Sequence, residues 1–338
     1  MPSPKISGTQ LGNGTSGPRR QAFGAVVPDQ LKTSIVLFIV WLALMAVTGV
    51  SHPGFLSSST FLAIAFGMMV PGFVALGLSF VTISGALLDL SSAAVVAISS
   101  VVCAAALVAG VSTPIALLLA VLAGAAVGAC NAGLVVGVGI NPIVATLATS
   151  LVGGGLLVVT SGGTNEYIPG GAFLRSFANG RILGVPDVLI VLVILFIVAE
   201  LALTRTRFGL HMVAVGGNKD AARSRGISVK RVRVTAFILS GVLAGFGGAI
   251  LAGQATTVAS SVDPQLAYRV AAVVLLGGIS LSGGRGRVAG MFASLLLLSS
   301  IPTAIVQFGL PSSWQNILEG AALFVAVIID ARRYGRSR

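Results

Sequence analysis

The residues of this chain that could do chemistry are few. Nine Asp and Glu and two His are spread over 338 positions. Asp89, Glu200 and Glu319 fall in or beside apolar runs, where a carboxylate is costly unless it is capped, paired or turned to water. Carboxylates so placed could carry protons or sodium. Asp89 is the most informative of them. It stands in LLDLSS, 87–92, with no Lys or Arg nearby. Asp89 and Ser91 could accept the free amides that open a following helix, or form the polar edge of a path through a membrane. Other constellations are poor. His52 and His211 lie in separate loops, and no catalytic group assembles around either. Cys103 and Cys130 sit inside apolar runs with no CxxC, against zinc or disulfide chemistry. GGRGRVAG, 283–290, has glycines but lacks the Lys-Ser/Thr that would hold phosphate and Mg²⁺.

What must position these residues is a set of membrane spans. The chain is 55% hydrophobic and 9% charged, with a mean hydropathy of +1.01, where a soluble domain carries roughly a quarter charged residues. Apolar stretches of spanning length, about 20 residues, run near 33–50, 61–83, 92–111, 114–136, 143–160, 186–203, 234–253, 288–308 and 314–330. A tenth, near 267–283, is broken by Gly277 and Gly278. The expectation is an all-α polytopic membrane protein of about ten transmembrane helices. A flexible cytoplasmic tail precedes it at 1–32, the membrane domain fills 33–330, and a basic tail follows at 331–338.

The net charge of +12 would suggest nucleic acid in a soluble protein, but its placement argues otherwise. With both termini in the cytoplasm, 18 of the 21 Lys and Arg fall inside and only Arg175, Arg181 and Arg269 fall outside, as the positive-inside rule requires. Small residues recur at helical spacing: Gly124 with Gly128, Gly133 with Gly137, Gly241 with Gly245, and Gly153 to Gly155. Such pairs let helices approach closely in lipid.

One charged segment interrupts the apolar pattern. GGNKDAARSRGIS, 216–228, predicts a helix of roughly two turns. Asn218 is a good N-cap, and Asp220 suits the positive end of the helix dipole. Ala221 and Ala222 are strong helix formers. Arg223 and Arg225 complement the C-terminal end, and Gly226 suits a left-handed residue just past it. So short a helix is unstable alone in water, which makes sense if it docks into a partner.

The longer stretch AVGGNKDAARSRGISVKRVR resembles the cytoplasmic coupling loop, about 205–233, of ribose-type sugar permeases, the membrane subunits of bacterial ATP-driven importers. RVAAVVLLGGISLSGGRGRVAG, 269–290, is similar to that family's GGxSLxGGxG run. INPIVATLATSLVGGG, 140–155, and LLDLSS, 87–92, resemble two further markers. The family's turn around Asp89 reads Gly-Gly-aliphatic-Asp-Leu-Ser followed by Val-Gly. Here Ser84 to Ser92 lacks one Gly, carries an inserted residue and has Ser in place of the Val-Gly.

The resemblance implies an ABC importer permease in the bacterial cytoplasmic (inner) membrane. It implies a homodimer, a cytoplasmic ABC ATPase holding ATP and Mg²⁺ so that this chain carries no cofactor, and a periplasmic or lipid-anchored binding protein that delivers a sugar or sugar-like solute. Membrane lipid is expected around it and nucleic acid is not. Gly217, Asn218, Asp220, Ala221, Ala222, Arg223 and Gly226 would face the ATPase. Path candidates are Asp89, Ser91, Asn141, Gly277, Gly278, Ser280, Gln315, Asn316 and Glu319, with Asn131, Gln254 and Gln307 as further polar positions. Most of these polar residues could equally bond between helices. A branched-chain amino-acid or nucleoside-type ABC permease and an ion-coupled secondary transporter are the alternatives.

Overall fold

The computed structural model describes residues 27–164, 166–167, 172–255, 257–258 and 261–334. Of the tails expected at 1–32 and 331–338, residues 1–26 and 335–338 lie outside the described residues, whereas 27–32 and 331–334 are helical, as the ends of α1 and α13. Among the described residues, eight helices are long and apolar enough to cross a membrane: α1 (Val27–Ser51), α2 (Ser58–Ile83), α4 (Thr113–Ala132), α5 (Pro142–Ser161), α7 (Asp187–Arg205), α10 (Val229–Gln254), α12 (Val288–Gln307) and α13 (Ser313–Tyr334). Two apolar helices are shorter, α3 (Ser92–Val108) and α11 (Pro264–Leu276). Each adjoins a break in regular structure, 84–91 before α3 and 277–287 after α11. The apolar runs read from sequence there continue into turns.

Local signals set most boundaries. Pro114, Pro142 and Pro264 open α4, α5 and α11, at a position where their missing amide costs nothing. Thr206 caps α8 (Arg207–Gly217), accepting from Gly209 N at 3.4 Å. That helix had no expectation in the sequence. α9 (Lys219–Ser224) follows directly. A π-helical turn, Gly133–Val138, continues α4. α6 (Ala172–Asn179) and two antiparallel pairs of two-residue strands complete the structure: β1 (Glu166–Tyr167) with β4 (Thr257–Val258), and β2 (Arg181–Ile182) with β3 (Val185–Pro186).

α2 runs through the centre of the bundle: 72% of its apolar window is buried, against 17% for α1, 22% for α5 and 11% for α13. Phe73 on α2 meets Phe246 on α10 edge to face, centroids 4.8 Å apart. The glycine pairs resolve into one seam. A Cβ on Gly124, Gly128 or Gly241 would run into backbone of the opposite helix, so α4 and α10 touch main chain to main chain. Gly133, Gly137 and Gly155 have nothing within 4 Å. The seam lies within one chain.

Candidate functional site

The break at 84–91, the break at 277–287, α8 and α9 gather at one end of the bundle with much of the basic charge, here termed the basic end. α9 is capped as its sequence predicts. Asn218 Oδ1 accepts from Asp220 N and Ala221 N, both at 3.0 Å. At the other end Gly226 has φ +79. Gly226 N donates to Arg223 O at 2.9 Å and Ile227 N to Ala222 O at 3.0 Å, the two bonds of a Schellman motif. The side chains divide by face. Ala221, Asp220 and Arg223 are exposed, whereas Ala222 is only 3% exposed. Ala222 therefore fixes α9 to the bundle, and of the two alanines expected to face a partner only Ala221 is exposed. Burial in a docked helix cannot be read from its own sequence.

Asp89 is buried, and three bonds hold it. Oδ1 accepts from Ser91 N at 3.0 Å and from Ser91 Oγ at 2.6 Å, and Oδ2 accepts from Ser240 Oγ of α10 at 3.1 Å. Asn131 on α4 donates to Ser91 Oγ at 2.7 Å and accepts from Thr149 Oγ1 of α5 at 2.7 Å. Leu90 N donates to Thr146 Oγ1 of the same helix at 3.0 Å. Neither Asp89 nor Ser91 caps the first turn of α3: Ser91 occupies the cap position without a side-chain cap bond, and Asp89 reaches only the Ser91 amide. The carboxylate instead ties the first break to α10 and, through Ser91 and Asn131, to α4 and α5. Removing one member would leave buried partners unsatisfied at about 1–3 kcal/mol. Upstream in the same break, Leu87 adopts φ +58, a left-handed conformation usually left to glycine.

Three glycine-bearing segments touch at the basic end. Gly284 N donates to Ile83 O at 2.8 Å. A Cβ on Gly283 would stand 2.5 Å from Gly85 Cα, and one on Gly216 would overlap both the Ile83 carbonyl oxygen and the Gly284 amide. Gly85, Gly283 and Gly284 all have positive φ. Arg233 of α10 donates from Nη2 to Gly85 O at 3.0 Å and from Nε to Ser84 O at 3.5 Å, satisfying carbonyls left free where α2 ends. In the second break Gly277 packs on Met291, Gly278 has open space beside it, and buried Ser280 accepts from Ser282 N at 3.2 Å.

The opposite end, where α10 finishes and α11 starts, holds a cavity of about 390 Å³ between α2, α3, α10 and α11. Small residues of α3, Ala93 and Ala97, make the room, and Ser100, Gln254, Thr257, Asp263 and Arg269 supply polar groups. Arg269 Nε also donates to Glu319 Oε1 at 2.8 Å, as does Gln315 Nε2 at 3.0 Å. On the outer side of that ion pair Glu319 and Asn316 line a groove with Gln265 and Tyr268.

A family model described as branched-chain amino acid transport system / permease component matches residues 60–327, a span that includes both breaks, the Asp89 network and α9. The chain belongs to that family. The permease is 32% identical to the ribose import permease protein of Bacillus subtilis (strain 168), over 91% of its own length and 94% of the relative's. It is 34% identical to the autoinducer 2 import system permease protein of Enterobacter sp. (strain 638), over 87% and 85%. It is 32% identical to the L-arabinose ABC transporter permease protein of Azospirillum brasilense, over 89% and 88%. No solved structure gives a significant match. The all-α, multi-pass fold and the resemblance to sugar importer permeases are both borne out.

The permease does not gather the sequence-derived path residues in one place. Asp89 and Ser91 join the buried network. Gln315, Asn316 and Glu319 form a separate cluster around Arg269. Asn141 caps α5 by accepting from Ile143 N at 3.0 Å. Gly277, Gly278 and Ser280 shape the second break. Gln254 lines the cavity and donates to Met69 Sδ at 3.0 Å, while Gln307 is exposed. Sequence reasoning missed Arg233, Ser240, Thr149 and the Ala93–Ala97 face. Arg233 offered the one usable signal, as the basic residue of the loop that lies furthest into the following apolar run.

Proposed function

We propose that the permease is the membrane-spanning subunit of an ATP-driven importer in the bacterial inner membrane, translocating a sugar or sugar-like solute received from a soluble binding protein. The observation that carries this reading is the similarity to import permeases named for ribose and arabinose across about nine-tenths of the chain. Those solutes are neutral and rich in hydroxyls, and the polar groups around the cavity suit them. The basic end faces the cytoplasm, in keeping with the positive-inside rule. The exposed face of α9, with Asp220, Ala221 and Arg223, meets the ATPase, which holds the ATP and Mg²⁺. Each chain presents one such helix, so two copies of the chain meet two ATPase domains. The path runs from the cavity past the Asp89 network and the second break.

The test is uptake of labelled ribose and arabinose into vesicles holding the permease with its ATPase and binding protein. Uptake requires ATP, survives a protonophore while ATP is maintained, and persists in Asp89→Asn, because the amide keeps an acceptor for the Ser91 amide and the Ser240 hydroxyl can turn to accept. Loss of uptake both in Asp89→Asn and with the protonophore would favour an ion-coupled transporter. The family's description favours a second solute class, branched-chain amino acids. Leucine uptake in the same vesicles, without sugar uptake, would establish it.

A further inference from the structure

The glycine junction at the basic end joins parts of the chain that lie far apart in sequence. Gly216 stands in the last turn of α8, just before α9. Gly85 is the second residue of the first break, which leads in four residues to Asp89. Gly283 and Gly284 lie in the middle of the second, which leads back to Ser280, Ile279 and Gly278. Between these segments there is no layer of side chains. The Cβ positions of Gly216, Gly283 and Gly284 are all occupied by main chain of another segment.

This construction has a mechanical meaning. Where side chains separate two elements, a small displacement can be absorbed by rotamer changes. Main chain in van der Waals contact has no such slack, and packed interfaces shift between discrete arrangements instead of deforming smoothly. A displacement of α9 carries Gly216 with it, and Gly216 bears on Ile83 and Gly284 together. Both breaks then shift as one. α10 holds the first break at two points two helical turns apart: Arg233 on the carbonyls of Ser84 and Gly85, and Ser240 on the Asp89 carboxylate. Arg233 is half-buried, sits at the negative end of α2 and donates to two carbonyls there.

We infer that the Gly85–Gly216–Gly283–Gly284 junction is where movement of α9 becomes movement of both broken segments, and that Arg233 is a positioning residue that holds the first break in register with it. The inference rests on the reading of α9 as the ATPase-facing helix.

The experiment measures ATP hydrolysis and solute uptake separately in vesicles holding the whole transporter. Arg233→Ala keeps ATPase association and keeps hydrolysis within about two-fold, while uptake falls about ten-fold or more. Arg233→Lys, which keeps a charged donor, restores much of the uptake. Arg233→Gln, which keeps a donor and most of the stem, serves if the alanine variant does not insert. Uptake and hydrolysis falling in proportion, or both staying normal, overturns the inference. Ala221→Arg on the exposed face of α9 separates the two readings. If that variant retains ATPase association and uptake, α9 is not the docking helix. If it loses both while Arg233→Ala behaves as the unaltered protein, the docking helix stands and the junction does not carry the movement.

Discussion

At the basic end of the permease, main chain packs on main chain; at the far end, side chains surround a cavity of about 390 Å³. The first arrangement leaves no free volume and depends on residues without a Cβ. The second depends on small residues of α3 that leave volume, with polar groups spaced around it. The proposed function calls for both, rigidity where force would enter and room where a solute would rest. The contrast teaches that glycine and alanine do opposite jobs here, closing one gap and opening another.

The largest expected effect breaks the rigid end. Gly284→Ala meets a double penalty, a positive φ of +66 and a Cβ overlapping the Gly217 amide. Uptake should fall about a hundred-fold, near 3 kcal/mol, with the chain still detected in the membrane. Gly278→Ala is the control within the same break: φ is +91 but nothing lies within 4 Å, leaving only backbone strain of about 1–2 kcal/mol. Equal losses in the two variants would mean that conformation matters there and close approach does not.

A smaller effect should come from filling the open end. Ala97→Trp projects a large ring into the cavity, and uptake should fall about ten-fold, with ATP hydrolysis retained and the protein normally folded. Normal uptake of ribose and arabinose in that variant would remove the cavity from the path without touching the family assignment.

The smallest effect concerns Leu87. Leu87→Gly relieves about 1–2 kcal/mol of left-handed strain but frees the unfolded chain and gives up a half-buried side chain. These terms offset, so thermal stability and uptake should change little. A loss of uptake above about ten-fold would show that the Leu87 side chain itself acts in the path and would extend the working region beyond the glycines.

Legibility followed the range of the interactions. The caps of α9 were readable because Asn218 and Gly226 act on amides and carbonyls within a few residues. The spans were readable from hydropathy. α8 was hidden, since RFGLHMVAVGG mixes β-branched residues and glycines that lower helix propensity. The burial of Ala222 depends on docking, which local rules do not reach. Asp89 stood out in sequence as a carboxylate beside apolar runs, but its partner Ser240 lies 151 residues away and Asn131, which bonds Ser91, lies 42 residues away, and pairing at that distance is fixed only by packing. The α4–α10 glycines could be listed as close-approach pairs, yet nothing in their spacing says which helix meets which.

That α4–α10 seam also sets a timetable for synthesis. Gly124 and Gly128 leave the ribosome more than a hundred residues before Gly241 and Gly245, an interval on the order of ten seconds at bacterial elongation rates. During it α4 stands in lipid with a strip of bare backbone and no mate. A chain stopped before Val229 never acquires one. Only the arrival of α10 closes that strip, so an unfinished copy differs from a finished one by a line of bare backbone on α4.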